Sequence, residues 1–373
     1  MIRKTFKYRL YPTRAQVDLL NGQLAEACRL YNAGLQERRD AWKLERKSIQ
    51  LYDQTRQLKE IRAEGDTGIF NCNVAHDVLR RLDKTFKAFF ARVKRKEKAG
   101  FPRFKSARRF DSFTYPAYGN GCRLLDNGKL RLQGIGLVKV KLHRVIEGKI
   151  KTVSVKREAG RWYVCFSLEC EEKPLPPCSE SIGIDVGLTT FATLSDGTEI
   201  ENPRYFKTAQ AKLRRAQRKV ARRKKGSHRR RKAVQLLQRI HAHIKNQRAD
   251  FHHKASRALV NNYGLIAIED LNIKGLASGM LAKSVNDAGW SSFLNKVAYK
   301  VEETGRKLVK VDPRGTSQRC TCGAGVPKTL SQRWHECQTC GLSVSRDHSA
   351  ALEILRLGLN LQAQTCPIRE GVA

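Results

Sequence analysis

Four cysteines in the last sixty residues have the spacing of a metal site. Cys320-x-Cys322 and Cys337-x2-Cys340 are separated by 14 residues, and a glycine follows the second cysteine of each pair. Two such thiolate pairs can wrap one tetrahedral Zn²⁺ ion, and four thiolates leave no open coordination position. The pattern therefore predicts a structural rather than a catalytic zinc ion.

Other interpretations of these cysteines stay open at this stage. The first pair is one residue tighter than the usual C-x2-C, and His335 is close enough to act as a substitute ligand. A redox dithiol and unliganded thiols are further alternatives. The chain has 11 cysteines, an odd number that argues against a disulfide framework. The others fit small buried side chains or surface thiols: Cys28, Cys72, Cys122, Cys165, Cys170, Cys178 and Cys366.

Three acidic positions could form a second metal site. Asp185 lies in an apolar strand pattern over 181–186, where a carboxylate is costly unless it is paired or bound to a cation. Glu269 and Asp270 follow an apolar run, and Asp347 opens the last helical pattern. Carboxylates that hold two Mg²⁺ ions favour phosphodiester hydrolysis, because the ions activate a water and stabilise the leaving oxygen.

Each acid also has an ordinary structural explanation. Asp347 could serve only as a helix N-cap, and Asp185 could be a turn acid before Gly187. Strand alternation puts Glu269 and Asp270 on opposite faces, and the pattern alone does not decide which of them points inward. The acids are far apart in the sequence, so only a fold could bring them together.

The N-terminal half combines strand and helix patterns. Residues 1–12 alternate like a strand, Thr13 and Gln16 form a capping-box signature, and two or three helices fill about 13–98. Hairpins are predicted at Asp126-Asn-Gly128 and at Ala159-Gly160. Several antiparallel strands with one apolar face suggest a small barrel, which the first strand could join.

A different fold is predicted after a proline-rich linker at 174–177. Three short antiparallel strands over 181–200, with a carboxylate in the first, are typical of the opening of a ribonuclease-H-like sheet. Residues 204–257 form a helical stretch with 20 Lys and Arg and a single acid. Further elements are predicted as a strand over 263–269, a helix over 290–304, a strand over 306–311 and a last helix that ends near Gly358.

The charge of the chain indicates a polyanionic partner. Its 373 residues include 73 Lys and Arg and 35 Asp and Glu, giving a formal net charge of +38. A protein this basic has nucleic acid as its first candidate partner. No apolar run approaches the roughly 18 residues of a membrane-spanning helix, and the first residues contain no apolar signal core. We therefore expect a protein that is neither secreted nor membrane-bound.

Taken in order, the motifs resemble those of the TnpB family of transposon-encoded RNA-guided nucleases, compact relatives of type V CRISPR effectors. No single motif is specific, whereas the ordered set is. The matching motifs are Phe6–Thr13, Arg81–Phe86 with Phe89-Phe90, Gly100–Lys105, Ser112–Tyr115, Gly183–Gly187, Ile268–Leu271, Thr316–Gln318, the paired cysteines and Arg346–Leu352. Ser345 and Ser349 depart from the Asp and Asn that family members often have at these positions.

The resemblance implies an α+β multidomain fold. An oligonucleotide-binding-like β-barrel carries an inserted helical domain and is followed by a ribonuclease-H-like (RuvC) α/β nuclease domain with a zinc-ribbon insertion. The implied segments are 1–12 and 100–178 for the wedge-type barrel, 13–99 for the helical recognition domain, 179–317 for the nuclease with its basic insertion at about 204–257, 318–342 for the zinc ribbon, 343–358 for the final nuclease segment and 359–373 for a flexible tail.

The resemblance also implies the activity and the residues that perform it. Asp185, Glu269 and Asp347 match the family's catalytic acids, which hold two Mg²⁺ (or Mn²⁺) ions, and the cysteines hold one Zn²⁺. A structured guide RNA from the transposon end pairs with one strand of double-stranded target DNA, and the protein reads a short adjacent motif. The expected location is the prokaryotic cytoplasm, at the nucleoid, with no requirement for oligomerisation.

Five basic residues are candidate nucleic-acid contacts: Arg103, Lys105, Arg223, Lys224 and Arg230. Basic side chains position a phosphate backbone without reading its sequence. The alternative for the basic run 222–232 is a solvated charged face. Four aromatic residues could stack on bases, although core packing is the simpler explanation for most of them: Tyr8, Tyr11, Phe104 and Tyr115.

Three other functions compete with guided cleavage. An unguided RuvC or ribonuclease-H-type nuclease has no need of the long basic N-terminal half. A non-catalytic RNA-guided repressor would have lost at least one of the three acids, and this chain keeps all three. A strand-joining transposase ranks last, because transposition in the resembling family depends on a separate tyrosine-type enzyme.

Overall fold

A computed structural model describes residues 1–65, 68–329 and 331–365. Their contacts divide the chain into two units, Met1–Glu171 and the residues from Glu172 onward. The first unit contains β1 (Ile2–Tyr11), α1 (Arg14–Glu45), α2 (Leu51–Ala63), α3 (Cys72–Lys94), β2 (Ser112–Tyr115), β3 (Cys122–Leu124), β4 (Lys129–Leu132), β5 (Gly136–Lys141), β6 (Lys149–Glu158) and β7 (Arg161–Cys170).

The seven strands of the first unit form one antiparallel sheet in the order β2-β6-β7-β1-β5-β4-β3. Both predicted hairpins are present as β3–β4 and β6–β7. β1 joins the sheet between β7 and β5, so the helices are inserted between strands, as predicted. The end strands β2 and β3 are not paired with each other in the described residues, which leaves a barrel-like sheet that is nearly closed.

The helices of the first unit pack on one another through apolar faces. The predicted capping box at Thr13 and Gln16 is present in both directions and starts α1. α3 buries a stripe that includes Val78 and Leu82, at helical spacing. Arg38 of α1 forms a buried ion pair with Asp83 of α3, with 3.3 Å between Nη1 and Oδ1. This pair ties two helices together inside the unit.

The second unit consists of β8 (Ser181–Val186), β9 (Thr190–Leu194), β10 (Glu199–Glu201), α4 (Tyr205–Ala221), α5 (His228–Asn262), β11 (Leu265–Glu269), α6 (Ile273–Leu276), α7 (Ala282–Ala288), α8 (Trp290–Thr304), β12 (Lys307–Val311), β13 (Trp334–Glu336), β14 (Ser343–Ser345) and α9 (Arg346–Thr365). Its main sheet has the order β10-β9-β8-β11-β12. β11 runs parallel to β8 and β12, whereas β9 and β10 are antiparallel.

Helices cover both faces of this five-stranded sheet. On one face α5 and α8 contribute Leu259, Phe293 and Val297 to a core shared with the strands. On the other face α9 packs its Ile354 against Leu265 and Ala267 of β11. The predicted basic stretch 204–257 forms the two helices α4 and α5. Among the helices that the structure describes, none is both long and apolar enough to cross a membrane.

Some sequence-based boundaries need correction. Residues 173–175 are not a free linker, because the N–H groups of Lys173 and Leu175 donate to carbonyls at the end of α8. The last helix does not end at 358 but continues to Thr365, so the tail predicted from 359 is wrong over its first residues. The rest of that tail, with Cys366, lies outside the described residues. The sequence pattern does not predict the strand β5, which begins at a glycine just after Gly134.

Candidate carboxylate and cysteine sites

Strand pairing puts Asp185 and Glu269 next to each other. β8 and β11 are parallel and align Ile184 with Ile268, so the following residues are neighbours at the carboxyl ends of two adjacent strands. Adjacent strands lie about 4.8 Å apart. Asp270 is directed elsewhere: its side chain is 65% exposed, and Lys310 Nζ lies 3.0 Å from its Oδ1. This geometry favours Glu269 over Asp270 as the inward acid.

The start of α9 supplies the third acid, Asp347. A Cβ built on Gly183 of β8 would lie only 2.2 Å from the carbonyl oxygen of Ala351, so the helix backbone lies directly on the strand. Asp347 precedes Ala351 by one helical turn and therefore shares its face of the helix. Asp185 shares a strand face with Gly183, since the two are two residues apart. The close approach at Gly183 thus directs Asp347 toward Asp185.

The electrostatics of Asp185 are consistent with this arrangement of the three acids. Burial and, to a smaller extent, the charges of Glu269 and Asp347 raise the pKa of Asp185 to about 7, against a lowering by Arg346. Burial also raises the pKa of Glu269. A group of carboxylates that disfavour one another's charge is stabilised by a bound cation. Oxygen donors of this kind fit Mg²⁺ and similar hard divalent ions.

The acids are more loosely arranged than the cysteines. Within the described residues, only the cysteine set brings three or more possible ligand atoms all within 4.8 Å of one another. The carboxylate oxygens of Asp185, Glu269 and Asp347 are not drawn together that closely. A shared divalent ion would therefore bring these side chains nearer to each other.

Thr316 is a residue of this site to which the sequence analysis gave no role. It is only 4% exposed, and its hydroxyl donates to Oε1 of Glu269 over 2.5 Å, with Pro313 O as a second acceptor at 3.2 Å. This bond lowers the pKa of Glu269 and so opposes the effect of burial. The Thr316–Gln318 motif is the sequence signal for this residue. It does not show the hydrogen bond, because Glu269 lies 47 residues away in the sequence.

The four predicted cysteine ligands come together. Cys320 Sγ lies 3.5 Å from Cys340 Sγ, and Cys322 Sγ lies 3.6 Å from Cys337 Sγ. Tetrahedral zinc with Zn–S bonds of about 2.3 Å separates its sulfurs by about 3.8 Å, so the set fits zinc. Backbone N–H groups of Cys340 and Thr339 lower the pKa of Cys337 to about 6, which favours its thiolate form.

Each cysteine pair is followed by a glycine that turns the chain. Gly323 and Gly341 have φ angles of 91° and 73°, a region that side chains disfavour. His335 is not part of the sulfur cluster, and its Nδ1 is hydrogen-bonded to Lys328 Nζ. The interpretation of His335 as a substitute ligand is therefore not supported. Of the scattered cysteines that the structure describes, Cys28, Cys122 and Cys170 are buried free thiols.

The candidate nucleic-acid contacts differ in solvent exposure and in the hydrogen bonds that they already make. Arg103, Lys105 and Lys224 are exposed, and Arg223 is half-buried. Arg230 has another use: its Nη1 donates to Val220 O over 2.7 Å and to Arg223 O over 2.9 Å, so it satisfies carbonyls at the end of α4. These bonds occupy one nitrogen of the guanidinium, and a phosphate contact by Arg230 stays a prediction.

The aromatic candidates divide in the same way. Tyr8 and Tyr115 are fully buried in the core of the first unit, so they pack there and do not stack on bases. Tyr11 and Phe104 are 48% and 47% exposed and stay available to a ligand.

Three family models match parts of the chain. One described as a probable transposase matches residues 163–279, one described as a Cas12f1-like TNB domain matches 290–354, and one described as a helix-turn-helix domain matches 1–47. The second range includes all four cysteines and Asp347. Residues 1–47 form one strand and one long helix here rather than two helices around a turn.

Comparison with whole proteins gives matches along most of the chain. A structure of the mini-RNA-guided endonuclease CRISPR-Cas_phi3 covers 96% of this chain and 92% of its own at 10% identity, with a TM-score of 0.48. The putative RNA-guided DNA endonuclease InsQ of Escherichia coli K12 is 33% identical over 75% of this chain and 73% of its own. A putative RNA-guided DNA endonuclease of Streptomyces pristinaespiralis is 34% identical over 97% of this chain and 91% of its own. The similarity to these two relatives, at 33% and 34% identity over most of each chain, shows that the chain belongs to the TnpB family of putative RNA-guided DNA endonucleases.

Proposed function

We propose that this protein is an RNA-guided DNA endonuclease that hydrolyses target DNA at Asp185, Glu269 and Asp347. The observation that carries the proposal is that half-buried Asp185 lies beside Glu269 of the neighbouring strand and faces Asp347 of a helix, so that burial and these two carboxylates together raise its pKa. Structural acids are rarely grouped in this way, because each one disfavours the charge of the others. The names of the related proteins support the same reaction class.

The three acids would hold Mg²⁺ or Mn²⁺, which when bound supplies charge neutralisation and water activation for an in-line phosphodiester displacement. The chain's own residues position these acids. Pairing of β8 with β11 fixes Asp185 beside Glu269, and the Thr316 hydroxyl holds one oxygen of Glu269. The absence of a side chain at Gly183 lets α9 approach closely enough to present Asp347.

We assign the remaining parts of the chain by their folds and charge. The second unit would be a RuvC-like nuclease, with one structural Zn²⁺ bound by its four cysteines. The barrel-like sheet and helices of the first unit would hold guide RNA and target DNA. The helical pair α4–α5 adds positive charge suited to phosphate backbones. Such a protein would act in the prokaryotic cytoplasm, on the nucleoid.

The proposal is tested with protein purified from a host that carries the whole element. Sequencing of the copurified RNA identifies the guide, and cleavage of matching double-stranded DNA is then measured with and without RNA and divalent ions. We expect Asp185→Ala to abolish cleavage while RNA and DNA binding persist, because the variant loses only the central acid. Asp270→Asn is the matched control, since its exposed carboxylate pairs with Lys310, and it should cut like the wild type.

Two results would contradict the proposal. Cleavage by RNA-free protein would favour an unguided nuclease. Full cutting by Asp185→Ala would remove these acids from the active site.

A further inference from the structure

A groove on the first unit is not used by the carboxylate or cysteine sites. Its volume is about 720 Å³, and it lies between α1, α3 and the loop that follows the helices. Tyr31 of α1 and Thr85 of α3 face the loop residues 103–106 and Arg109. No acidic residue is among the groove's lining residues.

The loop side of the groove is held firmly although it has no regular secondary structure. Asn32 of α1 makes two hydrogen bonds with the backbone of Lys105: its Nδ2 donates to the carbonyl over 2.8 Å, and its Oδ1 accepts from the N–H over 2.9 Å. Cys28 Sγ donates to the same carbonyl over 3.1 Å. The Arg109 N–H closes a turn onto Ser106 O over 2.9 Å. These contacts preorganise the groove, which lowers the cost of ordering it around a ligand.

The groove presents positive charge that is not neutralised. Arg103, Lys105 and Arg109 line it together. Lys105 Nζ lies 4.1 Å from the centre of the Tyr31 ring, which holds the ammonium in place by a cation–π contact. Burial and the nearby Arg81 lower the pKa of Lys105, and the described residues give it no carboxylate partner. A fixed ammonium without a counter-ion is suited to an anion such as a phosphate.

Phe104 indicates that the ligand is more than an isolated anion. Its ring is about half exposed in the same groove, between two of the three cations in sequence. An exposed aromatic ring beside basic side chains is the combination by which proteins bind single-stranded nucleic acid, since a base stacks on the ring while the cations contact its backbone.

We propose that this groove binds one nucleotide of a single-stranded nucleic-acid segment, with a backbone phosphate at Lys105 and the base stacked on Phe104. Arg103 and Arg109 contact the flanking backbone. The inference rests on the proposed function, in which both guide RNA and strand-separated DNA are present. Either source supplies the same ligand chemistry, and the experiment distinguishes them.

Equilibrium binding is measured by fluorescence anisotropy with the full chain and two labelled 20-nucleotide probes, a single-stranded RNA and a DNA of the same sequence. Phe104→Ala is expected to weaken binding of at least one probe by about fivefold to a hundredfold, as loss of one stacked base does. Lys105→Gln should lower the slope of log K against log salt by about 0.7, the value for one phosphate contact on a single strand. Arg103→Gln, with an exposed side chain, provides a second variant that leaves the fold intact.

Matched controls come from α2, which does not line the groove. Tyr52→Ala removes an exposed aromatic ring and Lys59→Gln removes an exposed ammonium, and both should bind like the wild type. Crosslinking with 5-iodouracil-substituted probes gives a readout that is independent of affinity. In the wild type it should modify the peptide that contains Phe104.

The outcomes decide whether the ligand is RNA or DNA, and whether the groove binds nucleic acid at all. Loss confined to the RNA probe assigns the groove to guide RNA, and loss confined to the DNA probe assigns it to target DNA. Groove variants that bind like the controls, in a protein that still performs guided cleavage, overturn the groove alone. A wild type that binds neither probe overturns the groove, and the guided-cleavage assay decides the proposed function separately.

Discussion

The carboxylate site and the cysteine site belong to the same unit but are assembled in opposite ways. Asp185, Glu269 and Asp347 come from three distant segments, and the strands and helix that carry them are part of two buried apolar clusters. The four cysteines come from one short segment, and the regular structure among its described residues is the small hairpin β13–β14. Few side chains of this segment are buried. They include Cys320 and Cys337 from the pairs themselves and His335 between the pairs.

This difference decides what each ion would do. The elements that carry the acids are held in place by apolar cores, so a cation bound there would serve chemistry and not folding. The cysteine segment buries too little apolar surface to fold by itself, so its ion would supply the free energy of folding. Variants of the two sites should therefore fail differently, one in activity and the other in local structure.

The largest effect is expected from Cys337→Ser. Zinc bound per chain should fall from about one to near zero, because structural zinc sites need all four ligands. Hydrogen exchange should become fast in residues 318–345 while β8 and β11 stay protected. Cys72→Ser changes an exposed cysteine outside the site and should keep both zinc and protection. If residues 318–345 stayed protected from exchange without zinc, the cysteine segment would not need its ion to fold, which would contradict the proposed difference between the two sites.

Gly183→Ala should damage the carboxylate site through its framework. The new Cβ would meet the Ala351 carbonyl at 2.2 Å, so α9 must move and carry Asp347 away from Asp185. We expect a cleavage rate at least about a hundredfold lower, because a misplacement of 1 Å can have that cost, and a stability loss of about 1–3 kcal/mol from overpacking. Zinc content should not change.

Gly22→Ala is the matched control for this substitution. The added Cβ on α1 meets nothing within 4 Å, so cleavage should stay at the wild-type rate. A normal cleavage rate for Gly183→Ala would show that the approach of α9 does not position Asp347.

Lys300 tests whether the framework that holds the acids has a pH dependence of its own. Its side chain is 3% exposed, and its Nζ donates to Ser256 Oγ over 2.7 Å and to His253 O over 2.6 Å, joining α8 to α5. Burial is the main reason that the pKa of Lys300 is lowered to about 8 from 10.5. Between these pH values the unfolded chain binds more protons than the folded one, so the free energy of unfolding rises with pH.

Urea unfolding at pH 7.5 to 10.5 measures this effect. Relative to Lys300→Met, the wild type should gain about 3 kcal/mol over this range, following the linkage between pKa and stability. The exposed Lys212→Met variant should keep the wild-type pH dependence. Equal profiles for wild type and Lys300→Met would show that Lys300 does not lose its charge in the folded protein.

Features that depend on residues close together in the chain could be predicted from the sequence, and those that depend on distant residues could not. The capping box at Thr13, the hairpins and the thiolate pairs depend on neighbours a few residues apart, and all are present. The end of α9 was misplaced because Gly358 was interpreted as a stop. A Cβ at this position would lie 2.5 Å from that of Ala267, so the glycine permits close packing on β11 and does not end the helix.

The choice between Glu269 and Asp270 shows the same limit within the site. Alternation predicts that they lie on opposite faces but not which one faces inward, and this depends on the helix that covers the sheet. The family resemblance selected Glu269, and the register of β8 with β11 gives an independent reason for that choice. The charge of Arg230 made it a candidate phosphate contact. Its bonds to carbonyls at the end of α4 form only in the folded chain, so the sequence does not show them.

The smallest expected effect concerns Thr316, which joins the segment before the cysteines to the acids. Thr316→Val keeps the shape of the side chain but removes the donor to Glu269 Oε1, so the carboxylate is less firmly held. We expect cleavage to slow by about tenfold, near the lower end for a hydrogen bond to a charged group. Thr316→Ser retains the hydroxyl and should stay close to the wild-type rate, and both variants should keep zinc. Equal losses for Val and Ser would indicate that the packing of Thr316, not its hydroxyl, supports the site.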